Sequence, residues 1–95
     1  MSTTLKKFRQ GLMKYLETEF DFVVPDNYKN IGDIEFSVHF KTHITPYLIS
    51  RDFDYAEQKF RDLIETSTEY EFPNLTVEQR YKIIRFLCAI DETIG

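Results

Sequence analysis

The stretch from Thr76 to Ile94, TVEQRYKIIRFLCAIDETI, carries more apolar surface than one face of a helix can bury. At about 100° per residue, Val77, Tyr81, Ile83, Ile84, Phe86, Leu87, Cys88, Ile90 and Ile94 cover an arc of about 220°, against the ~100° stripe of an ordinary surface helix. Such a helix needs cover on two sides, from the rest of the chain or from another chain. Phe86 and Ile90 lie near one edge of the arc, Val77, Tyr81 and Cys88 near the other. With Ile83, Leu87 and Ile94 turned to the core, Val77, Tyr81, Phe86 and Ile90 are the candidate partner-binding residues, because exposed apolar patches mark contact sites.

The remaining elements follow from periodicity. Leu5, Phe8, Leu12, Tyr15 and Leu16 recur at spacings of three and four and predict a helix from about Thr4 to Glu19, with Ser2, Thr3 or Thr4 as its cap. Gly11 in its middle either admits a close neighbour or is simply tolerated, at about 1 kcal/mol against Ala. Phe20, Phe22 and Val24 alternate with Asp21 and Val23, a pattern for a short strand stopped by Pro25. Ile34, Phe36, Val38 and Phe40 alternate strictly with Glu35, Ser37, His39 and Lys41, which predicts a half-buried strand with one wet face. Ile44 to Ile49 reads as a third strand, placed at an edge because Pro46 lacks an N–H.

Phe53, Ala56, Phe60, Leu63 and Ile64 form the stripe of a second helix, capped by Ser50 or Asp52 and fading near Thr66. The connection from Thr66 to Asn74 holds Tyr70 and Phe72, aromatics suited to pin a loop to the body. Thr76 with Gln79 is a T-x-x-Q capping box that opens the last helix. The expected architecture is therefore α+β. It is a three-stranded antiparallel meander with three helices, in the order α-β-β-β-α-α, the helices packed on one sheet face.

Ninety-five residues make a single domain, residues 1–95. A chain of this size buries roughly 60–65% of its unfolded surface. One cysteine, Cys88, excludes an internal disulfide and reads as a small core side chain. The opening MSTTLKKFRQ has no apolar leader, and no run approaches the ~18 apolar residues of a membrane span. A cytoplasmic setting is the expectation, with no membrane partner and no cofactor. A net charge of −4 disfavours broad phosphate binding. Lys6, Lys7, Arg9 and Lys14, with no acid among the first fifteen residues, form a secondary basic spot. It complements the acidic remainder of the chain or faces an acidic partner.

Catalytic chemistry finds no motif: no Gly-rich phosphate loop, no C-x-x-C and no G-x-S-x-G. The chain is not expected to be an enzyme. Glu35, His39 and His43 would line up on a helix and suit zinc. On the strand their alternation predicts, successive members lie about 13 Å apart, so no metal site is expected. Glu19, Arg80 and Asp91 fall within apolar stripes, where an unpaired charge is expensive, so they are expected at margins or in pairs. Arg9, at the edge of its stripe, is expected to snorkel.

Over residues 4–65 the order helix–strand–strand–strand–helix resembles the double-stranded RNA-binding domain, in topology only. The resemblance implies nucleic-acid binding through a Lys-rich cluster opening the second helix. The matching stretch here, Ser50-Arg51-Asp52-Phe53-Asp54, is acidic. A helix-turn-helix from the last two helices would need a tight turn in place of the nine residues Thr66 to Asn74. Asp52, Asp54, Glu57, Asp62, Glu65, Glu69 and Glu71 offer a third reading, an anionic face that mimics nucleic acid. The preferred expectation is a non-enzymatic module that binds another protein as adaptor, regulator or inhibitor, or binds itself as a homodimer through the last helix. Small acidic chains rich in Phe, Tyr, Ile and Lys are common among accessory products of phages and mobile elements. That origin would make the partner a host or defence factor.

Overall fold

The structure, a computed structural model, describes residues 2–95. Among the described residues there are six helices: α1 (Ser2–Phe20), α2 (Asp26–Lys29), α3 (Asp33–His43), α4 (Thr45–Ile49), α5 (Phe53–Thr68) and α6 (Val77–Ile94). Among the described residues there is no strand, so the α+β meander is wrong and the fold is all-helical. The likeness to a double-stranded RNA-binding domain, which rested on that topology, falls with it.

The sequence stripes of α1 and α6 meet in one core, where Leu12, Leu16, Ile83, Leu87 and Ile90 are fully buried. The two helices run antiparallel. Gln79 Nε2 donates to Glu19 Oε2 at 3.0 Å, the Lys82 ammonium lies 5.9 Å from the centre of the Tyr15 ring, and Phe86 lies over Gly11. A Cβ on Gly11 would sit 3.1 Å from Phe86 Cε1, so this glycine admits a close approach. Ser2, Thr3 and Thr4 all lie inside α1, and its capping position falls outside the described residues.

The three segments read as strands have three outcomes. Residues 21–25 are neither helix nor strand, and Asp21 is left-handed; Phe20, Phe22 and Val24 are buried while Val23 points to solvent. Within residues 44–49, Thr45–Ile49 form the short helix α4, with Pro46 in its first turn, where a missing N–H costs nothing. Thr45 Oγ1 donates to Asp91 Oδ1 at 2.8 Å and ties α4 to α6.

Residues 33–43 form α3, a full helix of 11 residues. Strict alternation advances about 200° per apolar residue on a helix. It therefore places Ile34 and Val38 on one face and Phe36 and Phe40 on the opposite one. The dipole supports this helix, with Asp33 and Glu35 in the first turn and Lys41 and His43 in the last. No Gly or Pro interrupts it.

The remaining local readings hold. Asp52 caps α5 by accepting from the Tyr55 N–H at 3.3 Å. Thr76 and Gln79 form the reciprocal capping box of α6, at 3.1 and 2.9 Å. The loop after α5 is pinned as expected: Tyr70 donates to the Phe20 carbonyl, and Phe72 packs edge-on against Phe20 at 5.6 Å.

Candidate functional site

Helix α6 uses most of its wide arc within the chain. Ile90 is fully buried and Phe86 is half-buried against Gly11 and the Tyr15 ring, 6.2 Å away, so neither is presented to a partner. Val77 and Tyr81, one helical turn apart, remain 65% and 55% exposed. The four candidate residues are therefore split between the core and the surface.

The larger uncovered face is on α3. Phe36 and Phe40 pack inward with rings 5.8 Å apart. On the opposite side Ile34 is 84% and Val38 59% exposed. Sequence reasoning missed this face because it assigned all four residues to one side of a strand. A helical wheel applied to residues 33–43 shows it at once.

The charges expected in apolar stripes are paired. Arg9 donates to Asp33 Oδ1 at 2.5 Å and to the Ile31 carbonyl at 2.9 Å, and its guanidinium stacks 4.7 Å from the Phe36 ring. It is thus withdrawn from the basic spot, whose Lys6, Lys7 and Lys14 stay exposed. Glu57, which the sequence reading places on an anionic face, is instead fully buried between α5 and α6. It accepts from Arg61 Nε at 2.5 Å, Arg61 Nη2 at 3.1 Å and Arg80 Nε at 3.0 Å. Arg80 also reaches Asp54 at 3.3 Å. Four of the seven acids proposed as an anionic face have internal partners: Asp52 in its cap, Asp54 and Glu57 with arginines, and Glu65 accepting from the Phe72 N–H at 2.7 Å.

No family model, curated protein or solved structure matches this chain.

His39 and His43 lie on a helix, not a strand, and their rings stack 6.1 Å apart. Glu35 belongs to the same helix. Among the described residues no three His, Cys, Asp or Glu side chains converge to hold a metal ion. Burial raises the Cys88 thiol above its ordinary value, with Asp91 and Glu92 adding to the effect. The thiol therefore stays protonated near neutrality and is a poor nucleophile. No described helix is long and apolar enough to cross a membrane.

A cleft of about 890 Å³ opens between α1, α3 and α5. It exists because α5 packs closely on α4 and α6 but not on α1 or α3. Residues 24–33 form a strap along it. Tyr28 hydrogen-bonds Ser67 on α5, and Arg9 on α1 holds the Ile31 carbonyl, so the strap is tied to both walls.

Proposed function

We propose that this chain is a non-catalytic protein-binding module, of the adaptor, regulator or inhibitor kind. Its main contact surface is the outward face of α3. The observation that carries this reading is that α3 has two opposed apolar faces and the chain covers only one. Ile34 and Val38 sit one turn apart on the uncovered face. Scattered single apolar side chains are ordinary on a surface, whereas aligned ones form a contact patch. Val77 and Tyr81 on α6 provide a second, smaller patch. A homodimer through α6 would have to rely on that pair, since Phe86 and Ile90 are already engaged.

Affinity capture from the native host, with the Ile34→Asp/Val38→Asp variant beside the wild type, tests the reading. The expected outcome is a protein retained by the wild type and lost by a variant of unchanged melting temperature. A partner retained equally by both would refute the α3 surface. Sedimentation across a concentration range separates self-association from binding another protein.

A further inference from the structure

We propose that the cleft between α1, α3 and α5 binds a single-chain amphiphile with a carboxylate head, a fatty-acid-like ligand. Protein interiors are close-packed, and about 890 Å³ of open space beside the buried side chains Leu12 and Ile64 is far beyond a packing defect. The volume falls in the range of about 300–1,000 Å³ typical of small-molecule sites. Met13, Phe36, Phe60 and Leu63 line it and are only half-buried, so their apolar surface faces the gap.

The shape selects against a peptide helix. A helix about 10 Å across could lie in the cleft only if the strap left one wall, breaking the Tyr28–Ser67 or Arg9–Ile31 tie. An alkyl chain is thin enough to enter beside the strap.

The charge selects the head group. The chain as a whole carries −4. Around the cleft the balance reverses: Lys6 and Lys29 line it with no ion-pair partner among the described residues, and His39 and His43 stand on the α3 wall. Arg9 and Asp33 also line it but are bound to each other, which leaves Glu17 as the one acid opposing Lys6 and Lys29. A carboxylate head at either lysine meets a cation while its tail meets apolar wall.

Calorimetric titration of the full chain with decanoate, laurate and 1-decanol, below their aggregation limits, tests the proposal. Laurate is expected to bind once per chain and roughly tenfold tighter than decanoate, the increment of two buried methylenes. Lys6→Glu/Lys29→Glu, at exposed positions, should weaken laurate by about five- to tenfold and leave 1-decanol unchanged. Leu63→Trp narrows the apolar wall and should weaken binding of all three, with Met13→Trp as the substitute should Leu63→Trp fail to fold. The Ile34→Asp/Val38→Asp variant should bind laurate like the wild type, which keeps this proposal separate from the protein-binding one. No saturable laurate binding, laurate affinity unmoved by the double lysine change, or affinity for all three ligands unmoved in a folded tryptophan variant would each overturn it.

Discussion

Residues 20–24 and residues 34–40 carry the same alternation of apolar and intervening side chains, and they fold differently. In the first, Phe20, Phe22 and Val24 are all buried and the intervening Val23 is 82% exposed. That is the period of an extended backbone. In the second, Phe40 is buried and Phe36 half-buried, while Ile34 and Val38 face solvent. That is the same period wrapped on a helix. The causes are local. Asp21 turns left-handed, with φ 54, and ends α1. Pro25 then disfavours a helical Val24, so no room remains for a helix between them. Residues 33–43 have no such breaker and carry charges matched to the helix dipole. Alternation therefore reports one buried face only where the backbone is extended. On a helix it makes two opposed apolar faces, and a small chain covers one.

The largest effect that sharpens this comparison is at Phe22. Truncation to Ala should cost about 3–5 kcal/mol in urea unfolding, because the ring is buried and packs edge-on against Tyr70 at 5.2 Å. A cost below about 1 kcal/mol would place the extended segment outside the core and break the comparison.

A smaller effect is expected at Tyr70, which clamps the same segment through its hydrogen bond to the Phe20 carbonyl. Tyr70→Phe should cost about 1 kcal/mol. Burial raises the Tyr70 phenol above its ordinary 10.0, with Asp21 and Glu65 adding to the rise. The folded chain therefore holds this proton more tightly than the unfolded chain does. The resulting stability is complete below pH 10 and is lost as pH rises through the folded value. Tyr70→Phe should accordingly flatten the alkaline limb of a stability profile, although Tyr15, raised by burial and then by Glu19, keeps part of it.

The smallest effect belongs to Val23→Asp, which should stay within about 0.5 kcal/mol of wild type. Its side chain is the exposed partner in the alternation. A larger loss would mean that residues 21–25 pack on both faces.

Much of the fold is legible in the sequence where a stripe, a cap and a length agree. Helices α1, α5 and α6, the Asp52 cap, the Thr76–Gln79 box and the pinning of the loop by Tyr70 and Phe72 all follow from such signals, whereas the sequence leaves Gly11 open between a close approach and simple tolerance. Helices α2 and α4 are too short for a period to show, with four and five residues. Two chain turns are also hidden. Arg51 and Glu69 take left-handed φ of 65 and 63 without being glycine, so the composition gives no warning of them. The uncovered apolar face of α3 was the least legible part. The sequence points to α6, where Gly11 and the α1 core absorb Phe86 and Ile90 and leave only Val77 and Tyr81 exposed. The larger exposed pair, Ile34 and Val38, lies on the segment whose pattern mimics a strand.

The most direct test of the account compares two double variants in chemical unfolding, Phe36→Asp/Phe40→Asp and Ile34→Asp/Val38→Asp. A helix with one covered face predicts that the first pair unfolds the chain while the second leaves its stability within about 1 kcal/mol of wild type. Equal, large losses from both pairs would put all four side chains on one buried face, as a strand would, and would contradict the account.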